Sequence, residues 1–447
     1  MKTFQLPYLL SYYDLMLGPL YFVLIIILAL YWKTKYYKDS PLQKYLMPGL
    51  VVLLTGCVLQ GIIHNFVYSS SDIQNYYSGA AEIWNATKEN PVYGLELVFK
   101  PVPECSAKAQ EFASHMAYAY FAPSNRLMFQ ISGFVGMFCF GTYMPIALIF
   151  TCLGYIGLWR IFKCFSEVFP KHTRLIFVAC MLTPSVVMWC GNIQKEPLCM
   201  FGLGLCVEAL YATIKKHFGY RHLLGLALGA LVLLSLKNYI FFGFILAALP
   251  TLYIRFLQSS VNKTYKLGSK IVLLLAFLGL SFWIYEHSEA TNNMLDSFFI
   301  DNVDAVQNSQ IIVGGSSYTI PNVRDFSLGG VISTYLLSLN VALFRPYVWE
   351  VKNVLALLNA LEVLAVLLLT LYIMVRGRII GFFSPAGKAP MLMFCLAYTF
   401  AMAPMAGLIA FNFGTLMRYK LPFVPFFDTY LLLLCAGFIS KKKEVNG

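Results

Sequence analysis

Charge is scarce in this chain. Only 12% of its residues are Asp, Glu, Lys or Arg, about half the share of a typical soluble domain. A water-borne fold of 447 residues with so little charge would leave much of its apolar surface exposed, so a free-standing aqueous enzyme is excluded. Several chemical signatures are missing as well. No two cysteines have CxxC spacing, which removes the usual sign of a zinc or redox pair. No P-loop or dinucleotide fingerprint occurs, so no nucleotide is expected. There is no internal repeat and no low-complexity tract, and a soluble domain is expected at neither end. The N-terminus lacks a short apolar core followed by a small-residue cleavage site, so no removable signal peptide is expected.

What fills the chain is apolar. The hydrophobic fraction is 59% and the mean hydropathy +0.68, values of a polytopic membrane protein. Eleven cysteines do not form a disulfide set. Cys57, Cys139, Cys152, Cys180, Cys199, Cys206, Cys395 and Cys435 lie in or beside apolar segments, where Cys behaves as a small hydrophobe, and Cys105 sits in a long loop. The net charge of +12 is not a nucleic-acid signal, because the cations cluster between apolar segments, as topology signals do.

A spanning helix needs about 20 mostly apolar residues, which gives about eleven candidates. They are 17–32, 46–66, 143–162, 174–190, 197–214, 222–236, 239–254, 270–287, 353–375, 389–410 and 421–439. Lys33, Lys35, Lys38 and Lys44 follow the first. Similar clusters stand at 160–174, 215–221, 255–270, 376–388 and 441–443. The positive-inside rule makes that side cytoplasmic, which puts the N-terminus outside and the C-terminus inside. Two long loops, 67–142 and 288–352, are then external. Each holds an apolar stretch, 127–141 and 331–349, expected to lie in the interface or dip back into the bundle. If both crossed instead, the count would rise to about thirteen. The expectation is one all-α integral membrane domain over residues 1–447.

Under this topology the polar residues at the segment ends share the external side, and ionisable groups near membrane depth are functional candidates. Asp72 opens the first external loop, with Tyr76 one helical turn later. It could cap that helix, or act as a base toward an acceptor hydroxyl. The run Pro184 to Pro197 forms an outer turn holding Trp189, Lys195 and Glu196. Lys195 suits a phosphate, and Glu196 suits a base or a partner for Lys195; a solvated ion pair is the plainer reading. Lys237 and Asn238 interrupt an apolar run, and Lys237 either snorkels or meets a phosphate. Arg345 and Glu350 stand among Phe344, Tyr347 and Trp349, which read as an aromatic belt or as a surface that stacks a sugar or prenyl chain. Arg418, Tyr419 and Lys420 follow Asn412 and Gly414, and Arg favours forked binding of phosphate oxygens. Glu362 and Glu208 are the deeper charges.

Several of these runs resemble multi-pass GT-C-type glycosyltransferases and bacterial surface-polysaccharide membrane proteins. The resemblance is carried by Asp72 with Tyr76, by the Pro-Ser-x-x-x-Trp-x-Gly-x-x-x-Lys-Glu run from Pro184 to Glu196, by Phe344 to Glu350, and by Arg418, Tyr419 and Pro422. It implies a many-helix fold with two structured external loops in a bacterial inner membrane. It also implies a polyprenyl-phosphate sugar donor and a glycan or glycolipid acceptor, with Asp72 as catalytic carboxylate and Lys195 or Arg418 as donor-phosphate ligands. Asp72 stands without an Asp-x-Asp partner, so no cofactor is expected and a divalent metal has no support. Two alternatives stay open: a polysaccharide polymerase or ligase, and a non-enzymatic flippase or transporter of a lipid-linked glycan.

Overall fold

The computed structural model describes residues 9–66, 72–116, 123–259, 318–321, 323, 325, 327–351, 354–410 and 412–446. Among them the chain is helical. The expected span at 270–287 lies outside the described residues. Seven helices are long and apolar enough to cross a membrane, or up to eight if one bent pair counts as a single span. The architecture is that of a polytopic helical membrane protein. The chain divides into two compact units, Met1–Phe244 and Ile245–Gly447.

In the first unit α1 (Tyr12–Tyr36), α2 (Gln43–Phe66) and α7 (Tyr143–Val168) pack together. α1 runs parallel to α7: Gly18 lies on Met144, and the Trp159 indole donates to the Tyr37 hydroxyl at 2.7 Å. α2 runs antiparallel, with Tyr155 donating to the Leu46 carbonyl at 2.6 Å and Gly61 against Tyr143. One carboxylate locks this arrangement. Asp14 Oδ2 accepts from the Ser11 amide at 2.9 Å and hydroxyl at 2.6 Å, while its Oδ1 accepts from the Met144 amide at 2.7 Å. Asp14 thus satisfies an orphan donor in the first turn of α7, from a distant part of the sequence.

The segment expected to span at 174–190 is broken. It comprises α8 (Thr173–Phe177), a π-helical turn Val178–Leu182, and α9 (Pro184–Trp189). Thr183 between them is extended, with φ −60° and ψ 125°. The cause is Pro184, whose ring disfavours helix at the preceding residue and which has no N–H to donate. The broken segment still returns along α7, from the Phe162–Phe177 ring contact to Gly191 beside Thr151.

α10 (Lys195–Ile214) then runs parallel to α7. The two touch backbone to backbone: a methyl on Gly157 would collide with the Met200 carbonyl, and one on Gly204 with the Gly157 carbonyl. Close approach at small residues is how membrane helices gain contact without a hydrophobic drive between them. Arg160 and Glu208 pair further along the same seam. Pro197 lies beside Gly154, roughly 16 Å along α7 from its first residue at about 1.5 Å of rise per residue. α10 therefore begins recessed within the bundle.

The expected spans 222–236 and 239–254 correspond to two helical segments of α11 (Tyr220–Ser259), which meet at a kink at Lys237, where φ is −149° and ψ 79°. Among the described residues the count falls below eleven because 174–190 is broken into short pieces, α11 is a single kinked element, and 270–287 lies outside them.

Within the expected loop 67–142 the described residues form a helical lobe. α3 (Asp72–Glu89) and α6 (Pro123–Phe138) lie side by side and parallel. Tyr76 donates to Asn125 Oδ1 at 3.0 Å, and the Ser132 hydroxyl to the Tyr76 carbonyl at 3.2 Å. Further along, Gly79 faces Phe129 and Gly133 faces Ile83. α4 (Pro91–Phe99) and α5 (Ala107–Ser114) close a core of Ile83, Ala86, Leu97, Val98, Ala109 and Ala113 against α3.

In the second unit α12 (Leu328–Phe344), shorter than a span, packs on α14 (Pro390–Ala410). Tyr335 donates to the Phe400 carbonyl at 2.9 Å. α13 (Val354–Phe383) and α14 both pack on α16 (Val424–Asn446). α15 (Phe413–Lys420) meets the first part of α16 at a bend of 70°.

Candidate functional site

In the first unit the polar residues gather where α10 begins. Lys195 is its first residue, and its ammonium donates to the Ser124 hydroxyl of α6 at 2.9 Å. Glu196 follows, buried. Its Oε1 accepts from the Lys237 ammonium at 3.0 Å, with 1% of the Glu196 side chain and 10% of the Lys237 side chain exposed. Removing two charges from water is costly, and this pair persists because each compensates the other. The pair also ties the break in α11 to the first turn of α10. Asp72, the exposed first residue of α3, completes the group: its charge acts on Lys195 together with those of Lys237 and Glu196.

Three helix N-termini meet here. α3 and α6 begin side by side, and Ser124 at the start of α6 touches Lys195 at the start of α10. Helix N-termini carry partial positive charge and unpaired amides, which favour anions. Lys195 adds a cation beside the mutually compensated Lys237–Glu196 pair, and Asp72 stands at the exposed edge.

The turn before α10 holds this geometry. Asn192 is buried, with φ +73°, a conformation Asn tolerates better than most residues. Its Oδ1 accepts from the Tyr143 hydroxyl at 2.8 Å and from the Ile193 amide at 2.8 Å. Its amide donates to the Thr151 hydroxyl at 3.1 Å. Gln194 is buried and donates to the Gly191 carbonyl at 3.2 Å. The turn is therefore built onto α7 and is not a solvated connector. Asn238, next to Lys237, is exposed, and Tyr76 is buried in the α3–α6 seam.

The second unit has its own cluster, at the end of α12. Arg345 makes a forked contact with Glu350: its Nε lies 3.0 and 3.1 Å from the two carboxylate oxygens, and its Nη2 also reaches Oε1. The guanidinium carbon lies 5.4 Å from the Tyr318 ring centre and 5.3 Å from that of Phe413, within cation–π range of both. Burial acts to raise the Glu350 carboxyl. The hydrogen bonds from Arg345 and the Tyr347 amide outweigh it and hold the group below the ordinary carboxylate range. Lys420, 3% exposed, donates to the Arg345 carbonyl at 2.6 Å, and the charge of Glu362 acts on it. Arg418 and Tyr419 are half-buried on the same short helix.

Asp72, Lys195, Glu196 and Lys237 thus come together in one unit, and Arg345, Glu350 and Lys420 in the other. The sequence reading omitted Ser124, Asn192, Tyr318 and Phe413. Ser124 had a readable signal, because Pro-Ser-Asn before an apolar run marks a helix start. Tyr318 and Phe413 had none, since their role is set by tertiary packing. Comparisons with protein families, with characterised proteins and with solved structures give no match to this chain.

Proposed function

We propose that this chain is a glycosyltransferase of GT-C type, with about eleven spans. It takes a polyprenyl-phosphate-linked sugar at the external, periplasmic face of a bacterial inner membrane and serves surface-polysaccharide or glycolipid synthesis. One observation supports this most: Asp72, Ser124, Lys195, Glu196 and Lys237 meet at three helix N-termini. An exposed carboxylate beside a recessed Lys195 at helix N-termini suits a neutral acceptor outside and a phosphate within.

In this reading the acceptor hydroxyl oxygen attacks the anomeric carbon of the donor. Its proton passes to the Asp72 carboxylate. The bond from the anomeric carbon to the phosphate oxygen breaks, and prenyl phosphate leaves with the electron pair. Lys195 meets the growing phosphate charge, and Lys237 adds to the field from its place on Glu196. Glu196, engaged with Lys237, acts as a positioning residue.

The test is release of prenyl phosphate from a panel of short-chain prenyl-phosphate hexoses, followed by mass spectrometry on purified protein in nanodiscs. The expected result is release by the native protein and its loss in Lys195→Met. Absence of release from every donor in the panel, with a glycan acceptor mixture present, would overturn the reading. A flippase is the second reading, favoured by the break in α11 at Lys237 with its buried ion pair, since transporters place ion sites at broken helices. It predicts movement of a fluorescent lipid-linked glycan across a vesicle membrane without cleavage.

A further inference from the structure

The helical lobe carries an apolar face turned away from its own core. On α4, Val92, Leu95 and Phe99 are exposed, while Leu97 and Val98 are buried. On α6, Phe134 and Phe138 are exposed, one helical turn apart. The two stripes join: the Phe99 and Phe134 ring centres are 6.1 Å apart, and those of Phe134 and Phe138 5.3 Å. Phe99 and Phe138 are 70% and 65% exposed. So large an aromatic surface left open on a folded lobe marks an interaction site.

What covers it follows from where it leads. Tyr21, on the membrane helix α1, donates its hydroxyl to the Phe138 carbonyl at 2.6 Å. Leu20 and Leu24 flank Tyr21 on α1 and are themselves exposed. The aromatic face is therefore continuous with a helix apolar enough to span a membrane. α6 also turns within a few residues into α7, another such helix. At the far edge Lys100 follows Phe99, half-exposed and paired with Glu96 at 2.9 Å. Aromatic rings with a flanking Lys form the pattern that settles at headgroup level.

We propose that α4 and α6 form a foot that seats the external lobe in the headgroup–acyl boundary of the bilayer. The occupant of the face is phospholipid. Ser124 lies at the opposite end of α6, about 20 Å from Phe138 at 1.5 Å per residue, so the foot anchors the end of α6 remote from Lys195. This holds whether or not the chain transfers sugars.

The test replaces Phe99, Phe134 or Phe138 with photoreactive p-benzoylphenylalanine, one at a time. Lys108, an exposed residue of α5 paired with Glu111, serves as the control position. The full chain is reconstituted in vesicles of phosphatidylethanolamine and phosphatidylglycerol, irradiated, and weighed intact. The expected result is a gain of one phospholipid mass at the three Phe positions and none at position 108. Adducts at the Phe positions no more frequent than at 108 would overturn the proposal, as would cross-linked dimers in their place, which would assign the face to a second copy of the chain.

Discussion

The Lys237 ammonium lies 3.0 Å from Glu196 Oε1, and both side chains are withdrawn from solvent. The pair joins the interrupted residue of one helix to the first turn of another. Its partners depend on each other, because either charge left alone would be uncompensated in a low-dielectric setting.

Replacing one partner should therefore cost more than replacing both. Lys237→Met alone is expected to destabilise by about 3–5 kcal/mol, and Glu196→Leu with Lys237→Met by much less. Thermal unfolding in detergent micelles, run as a double-mutant cycle, measures the difference. Additive effects of the two single changes would show that the pair carries no coupling.

The seam between α7 and α10 should be intolerant of a single methyl. Gly157→Ala would press on the Met200 carbonyl, and overpacking of this kind costs about 1–3 kcal/mol. Gly219→Ala is the control, since nothing lies within 4 Å of a methyl placed there. A melting temperature for Gly157→Ala equal to that of Gly219→Ala would refute the close contact.

Much of this was readable in the residues, and the losses have physical causes. Apolar runs locate α1, α2, α7, α10, α13 and α14, because a bilayer enforces length and hydropathy directly. The same signal reads 174–190 as one span, since hydropathy is blind to the break that Pro184 imposes. It divides 222–254 at Lys237, where the structure has a kink between two helical segments, since a charge interrupts the apolar run at the same residue that leaves helical geometry. Lys195, Glu196 and Lys237 stand out as charges in apolar surroundings. Ser124 and Asn192 do not, because small polar residues are common and their value arises only from what they face. The cap that Asp14 provides for α7 joins residues 130 apart in sequence, and no local pattern encodes it.

Glu96 gives the lobe a defined acid limit. The Ser106 hydroxyl donates to it at 2.7 Å, Lys100 at 2.9 Å and the Ser106 amide at 3.0 Å. Together they push its carboxyl from an ordinary 4.5 down to about 2. A depressed carboxylate stabilises above the unfolded value and loses that contribution as pH falls through the folded one. Glu96→Gln should thus melt below the native protein at neutral pH, and the two should converge between pH 4.5 and about 2. Melting curves across that window decide it; a constant gap down to the lower limit would contradict the assignment.

Arg345 should not be replaceable by Lys. An ammonium cannot make the forked contact with both Glu350 oxygens while also standing against the Tyr318 and Phe413 rings. Arg345→Lys is expected to cost about 1.5–3 kcal/mol, the range for hydrogen bonds to charged groups. Proteolysis between α12 and α13 by a protease of broad specificity reads the loss, because Glu350 lies on that connection. Unchanged cleavage rates would mean that the fork is dispensable.

Asp72 and Ser124 separate chemistry from positioning at the proposed site. Asp72 is exposed and begins a helix, so Asp72→Asn keeps its shape and its place at the N-terminus while removing the proton acceptor. A base lost in this way lowers turnover by about 10²–10⁴-fold, without a matching change in substrate affinity. Ser124→Ala removes one hydrogen bond to Lys195 and leaves the ammonium in place. Its effect should fall on affinity for the phosphate-bearing donor, by a factor of about 10 for each 1.4 kcal/mol, with turnover nearly intact. Steady-state rates of prenyl phosphate release at varied donor concentration distinguish the two patterns. If Asp72→Asn turned over at the native rate, the carboxylate would be a helix-terminal charge and the base would have to be sought elsewhere.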